Sequence, residues 1–128
     1  MLNFKQERNE IIEIEANKKD LEILISTFEQ VFQSLGERFH PRIGASREEA
    51  QEILLLIKIA LETFDYQQTQ ILTTKIQISV EQLRILNNFL NEVCNGIKID
   101  NFEKAIGTSR NTLKSFLSPT HQLYRSIE

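Results

Sequence analysis

The stretch FHPRIGASR, residues 39–47, returns as FEKAIGTSR, residues 102–110. At an offset of 63, Phe39 falls on Phe102, Ile43 on Ile106, Gly44 on Gly107, Ser46 on Ser109, Arg47 on Arg110 and Leu54 on Leu117. At an offset of 62 the preceding segment also matches: Leu21 with Leu83, Ile23 with Ile85, Leu24 with Leu86 and Val31 with Val93. Self-similarity at a fixed period marks a structural unit used more than once. The chain therefore reads as a single domain, residues 1–128, made of two repeats, 10–65 and 74–128.

Outward from these matches, each repeat has the same order of patterns. An alternating run opens it: Ile12, Ile14 and Ala16 around Glu13 and Glu15, then Ile76, Ile78 and Val80 around Gln77 and Ser79. Period two predicts a strand with one buried face, extended backwards through LNFKQER in one repeat and QTQILTT in the other. Leu21, Leu24, Phe28, Val31 and Leu35 follow at helical steps, as do Leu83, Leu86, Leu90, Val93 and Ile97. That spacing draws one apolar stripe along a helix. Asn17 and Ser79 are its N-caps, the latter with Gln82 in a capping box. Gly36 and Gly96 sit just past the stripes, where a left-handed cap favours glycine.

The repeated corner then leads into a second helix. In the first connector Pro41 restricts helical structure, whereas DNFEKAI in the second forms a brief turn. Ser46 and Glu49 make a capping box for a helix carrying Ala50, Ile53, Leu54, Ile57, Leu61 and Phe64. Leu55, Leu56 and Ile59 widen its stripe almost all round, which predicts central burial or a subunit contact. In the second repeat Ser109 caps RNTLKSFL, and Pro119 interrupts; Ser118 and Pro119 can cap and start a separate terminal helix, and the sequence leaves open whether 119–127 forms one. The fold class is thus α+β and mostly helical, an internal duplication β-α-α-β-α-α whose two strands pair antiparallel near a pseudo-twofold axis.

Composition narrows the class. The chain is 41% hydrophobic and 26% charged, as in soluble globular chains. No apolar run is long enough for a signal peptide or a bilayer span, which points to a cytoplasmic protein with no membrane partner. The single Cys94 cannot close an internal disulfide and fits a reducing compartment. Residues 1–65 hold 8 Lys and Arg against 13 Asp and Glu, net −5, while residues 66–128 hold 7 against 5, net +2. An acidic first half repels phosphate backbones and argues against nucleic acid.

Four groups of residues bear on function. Residues 102–117 have the spacing of a helix-turn-helix, with Arg110, Asn111 and Lys114 facing outward as nucleic-acid contacts. The matching helix of the first repeat carries Glu48, Glu49 and Glu52 there, which ranks this reading second. Arg47 and Arg110 both follow an N-cap, a mildly unfavourable place for a cation, so each is expected to bond a carboxylate or a carbonyl of the other repeat, or else an acidic partner surface. Asn88, Asn91, Glu92 and Asn95 lie close together on one helical face and form the preferred partner contact. Cys94 has no base spaced to activate it, and no paired carboxylates, phosphate loop or metal-ligand spacing occurs. The sequence therefore predicts no catalytic residue, no metal and no cofactor.

The run LRILNNFLNEVCNG followed by FEKAIGTSR, residues 83–110, resembles a group of small uncharacterised bacterial cytoplasmic proteins. The resemblance implies a bacterial cytoplasmic chain and brings no activity with it. The functional expectation is a non-enzymatic protein–protein interaction module, of immunity or regulatory type, whose partner is another protein or a second copy in a homodimer. The alternative is the helix-turn-helix DNA-binding regulator.

Overall fold

The alternating runs become two strands of a three-stranded antiparallel sheet in the computed structural model, which describes residues 2–8, 10–66 and 72–127. The strands are β1 (Asn3–Arg8), β2 (Ile11–Ala16) and β3 (Thr74–Ser79), in that order across the sheet. Ile14 stands opposite Ile76 and Ile12 opposite Ile78. These four side chains and Ala16 are buried, while Lys75 and Gln77 lie on the open face. There Lys75 Nζ sits 3.6 Å from Glu13 Oε1. From the Ile14–Ile76 pair, each strand reaches a helix N-cap three residues later, at Asn17 and Ser79.

The fold is α+β and mostly helical, as the periodicities predict, but the ribbon has one more strand than expected. LNFKQER does not lengthen β2. It turns back on it as β1, placing Phe4 opposite Ile14 and Gln6 opposite Ile12. Two strands alone bury too narrow a face to stand in water, and the third widens it. The corresponding extension through QTQILTT falls mostly on residues 67–71, outside the described residues.

The described residues form six α-helices, three before β3 and three after it: α1 (Lys18–Leu35), α2 (Phe39–Ile43), α3 (Arg47–Tyr66), α4 (Val80–Asn91), α5 (Phe102–Ile106) and α6 (Arg110–Ile127). A 3₁₀ turn, Gly36–Arg38, joins α1 to α2, and a π-helical turn, Glu92–Gly96, ends α4. Within each half the long helices pair, α1 with α3 and α4 with α6. Between halves the short helices cross over, α5 onto α1 and α2 onto α4. At the centre the Phe28 and Phe89 rings stack with centroids 4.1 Å apart, and Phe32 and Phe39 meet Phe89 edge-on at 5.6 and 5.7 Å. Such stacked and edge-on contacts add to the area term of burial.

The helix starts follow their capping chemistry. Asn17 with Asp20, Ser46 with Glu49 and Ser79 with Gln82 each exchange two side-chain to backbone hydrogen bonds. Gly44 and Gly107 end the short helices at φ +76° and +92°, a backbone that residues with a Cβ rarely adopt. Two proline expectations fail. Pro41 lies inside α2, at its third residue, where the amide of a first turn has no helical acceptor to lose. Pro119 lies inside α6, which runs unbroken to Ile127. Phe116 and Thr120 are buried on either side of it, and that packing outweighs the lost hydrogen bond. The apolar α3 is not central either: Ala50, Ile53 and Ile57 are buried, but Leu55 and Ile59 are 58% and 52% exposed.

Phe89→Ala should lower the unfolding free energy by about 3–5 kcal/mol, the usual loss for a large buried aromatic ring. Leu55→Ala should change it by less than about 0.5 kcal/mol. Urea denaturation checks both, and comparable losses would mean that the outer side of α3 is covered rather than solvated.

Candidate interaction groove between α4 and α6

The polar residues of α4 fall on two rows that face different neighbours. Arg84, Asn88 and Glu92 recur every four residues and meet α2. Arg84 Nη2 donates to Gly44 O at 2.8 Å and Asn88 Nδ2 to Ile43 O at 2.8 Å. Arg42 on α2 returns a bidentate pair, Nε to Glu92 Oε1 at 2.7 Å and Nη2 to Glu92 Oε2 at 2.5 Å. Glu92 is only 6% exposed. Asn88 and Glu92, expected on a partner surface, are therefore the seam that holds the first half of the chain to the second.

Gly96 makes room for this pair. A Cβ at that position would collide with Glu92 Oε2 and Arg42 Nη2. Its φ is not positive, so close approach rather than a left-handed cap requires glycine here. The π turn closes with a bond from Ile97 N to Glu92 O at 2.7 Å, which encloses one residue more than an α-helical turn.

The second row is Asn87, Asn91 and Asn95. Asn87 is buried and its Oδ1 has no hydrogen-bond partner among the described residues. Asn91 and Asn95 are exposed, and Asn95 Nδ2 donates to Asn91 Oδ1 at 3.0 Å. They form one wall of a groove of about 400 Å³; Lys114, Leu117, Ser118, His121 and Gln122 on α6 form the other. Among the described residues lining it, none is acidic. The side chains of Lys114, Ser118, His121 and Gln122 have no hydrogen bond or ion pair within the described chain. The α6 wall escaped sequence reading, although Lys114, Ser118, His121 and Gln122 recur at helical steps. The expected break at Pro119 hid that they share one uninterrupted helix.

Arg47 and Arg110 bond carbonyls, but of their own halves rather than of the other repeat as expected. Arg47 donates to Phe32 O at 3.4 Å and Gly36 O at 3.2 Å, with its guanidinium 4.8 Å above the Phe39 ring. Arg110 donates to Val93 O at 3.3 Å and Cys94 O at 2.6 Å, 4.5 Å above the Phe102 ring. Both cations are thus engaged internally. Of the helix-turn-helix residues, Asn111 and Lys114 stay exposed, and the first helix, α5, is one turn of five residues.

Burial pushes the Cys94 thiol above its ordinary pKa, and the nearby charges of Arg110 and Lys114 pull it part of the way back. A raised thiol stays protonated and is a poor nucleophile. Among the described residues no group of three His, Cys, Asp or Glu side chains is placed to hold a metal ion. No helix among them is long and apolar enough to cross a membrane. No protein-family model, curated protein or solved structure matches the chain.

Glu92→Ala, which strands Arg42, should cost about 1.5–3 kcal/mol in urea denaturation. Asn91→Ala should cost less than about 0.5 kcal/mol. An equal pair of losses would remove the distinction between seam and groove. Cys94 should react with a thiol reagent at pH 8 at least about 100-fold more slowly in the native protein than in urea, because it must first become exposed. Matching rates would place the thiol at the surface.

Proposed function

We propose that this chain is a non-enzymatic binding module of immunity or regulatory type, which holds a segment of another protein in the groove between α4 and α6. One observation carries this reading. Arg47, Arg84 and Arg110 spend their hydrogen bonds on the chain itself. Lys114, Ser118, His121 and Gln122 spend none, and they converge beside the exposed Asn91–Asn95 pair around the half-buried Leu117. Unspent polar groups around an apolar floor are what a polar contact surface needs. The absence of an acidic lining residue favours a partner segment bearing carboxylates or amides.

The helix-turn-helix alternative has narrower support, from the exposed Asn111 and Lys114 on α6. It loses Arg110 as a free contact, since that guanidinium is bonded to Val93 O and Cys94 O. We also read the two halves as a duplicated module. The strand register centred on Ile14 and Ile76, the capping boxes at Asn17 and Ser79, and the like bonding of Arg47 and Arg110 support that reading. Placement in a bacterial cytoplasm rests on the motif in residues 83–110.

Immobilised on a matrix, the wild-type chain should retain a protein from its host's lysate that an Asn91→Arg, Lys114→Glu variant loses. Both positions are exposed, so the fold should survive. Recovery of nothing but the chain itself would identify self-association as the interaction. Identical sets of retained proteins would retire the groove. Salt-sensitive retention of duplex DNA, lost on Lys114→Ala, would favour the alternative.

A further inference from the structure

We propose that a second cleft, between the C-terminal end of α1 and the π-helical turn, binds a phosphate-bearing dianion. It encloses about 430 Å³, and its polar lining comes from Ser34, Arg38, Arg42 and Lys98, with Gly96 in the wall. The site is separate from the α4–α6 groove and does not rest on that reading.

Three cations converge here in a chain whose net charge is −3. Glu92 answers only one of them, through Nε and Nη2 of Arg42, and leaves the other terminal nitrogen of that guanidinium unspent. Arg38 has one long contact, Nη2 to Ser34 O at 3.4 Å. Lys98 has no hydrogen bond or ion pair within the described chain. Ser34 Oγ accepts from Gln30 Nε2 at 3.0 Å, and its own proton remains to be donated.

Cations beside the last turn of α1 also complement the helix dipole. That accounts for Arg38 but not for the enclosure, and not for Lys98, which comes from the other half of the chain. Forked guanidinium donors, an ammonium and a hydroxyl around one space match the several acceptor oxygens of a phosphate. The volume falls in the range of small-molecule sites, so it admits a phosphate with a small ester substituent. Gly96 is part of the construction, because any side chain there would collide with the Arg42–Glu92 pair that holds the Arg42 head group in the wall.

Inorganic phosphate titrated into the ¹⁵N-labelled full chain at constant ionic strength tests this. Saturable amide shifts are expected at Ser34, Arg38, Gly96, Ile97 and Lys98. An Arg38→Gln, Lys98→Gln variant, altered at two exposed positions, should bind at least about tenfold more weakly while the rest of its spectrum is unchanged. Asn91→Arg should bind as the wild type does. Tighter binding of phenyl phosphate than of phosphate would identify an ester as the ligand, and equal binding would identify free phosphate. Equivalent shifts with sodium chloride, or unweakened binding by the double variant, would overturn the site.

Discussion

A helix ends with carbonyls that have no amide to bond, and a tight corner leaves little room for water to serve them. The corners of this protein depend on arginines that supply the missing donors. Arg47 closes the end of α1 through Phe32 O and Gly36 O, and Arg110 closes the end of α4 through Val93 O and Cys94 O. Arg84, with Asn88, does the same for α2 through Ile43 O and Gly44 O. A cation just after an N-cap works against the helix dipole by about 0.3–1 kcal/mol. Charge-assisted hydrogen bonds of about 1.5–3 kcal/mol outweigh that cost. Since Arg47 and Arg110 begin α3 and α6, each bond also ties the start of one long helix to the end of the one before it.

This use of arginine sorts the polar residues of the molecule. A guanidinium held by two carbonyls and an aromatic ring cannot turn outward without losing those charge-assisted hydrogen bonds, at about 1.5–3 kcal/mol each. Arg47 and Arg110 are therefore poor candidates for recognition even though both are partly exposed. The same logic removes Asn88 and Glu92, whose partners lie on α2. What remains for recognition are side chains that cost nothing to redirect. Those are the α6 row from Lys114 to Gln122 with Asn91 and Asn95, and the Arg38 and Lys98 head groups on the other side of the π turn.

Much of the fold was legible because it is written in periodicity and caps. The strands around Ile14 and Ile76, the stripes from Leu21 and Leu83, and the corner at Gly44 and Gly107 each carry a local signal that the structure realises. β1 was read only as an extension because NFKQER carries one apolar residue, Phe4, and so no apolar row; its role comes from pairing with β2. Pro41 and Pro119 misled because a local penalty is visible in sequence while the packing of Phe116 and Thr120 that offsets it is not. The candidate site was half legible. Helical phase grouped Asn88, Asn91, Glu92 and Asn95 correctly on one side of a helix. Phase cannot say that two neighbours, α2 and α6, divide that side between them.

The two rows of α4 run out into the π turn, which adjoins both surfaces. The sequence offset between the halves is 62 along the first long helices and 63 at the corners, so the second half is one residue longer in between. The offset of 62 still holds at Leu35 and Ile97, so the additional residue falls just after the π turn, within residues 98–101, while the turn itself, bonded from Ile97 N to Glu92 O, widens the last turn of the helix. On the duplication proposed above, the first half meets the same stretch with the 3₁₀ turn Gly36–Arg38, which winds more tightly. The wider turn has two local consequences. Asn95 bonds Asn91 and faces α6, and Gly96 lies against the Arg42–Glu92 pair with Lys98 just beyond. Both candidate binding surfaces therefore adjoin the π turn, a feature that the 3₁₀ turn after α1 does not match, and that is where a paired architecture can acquire something its sibling lacks.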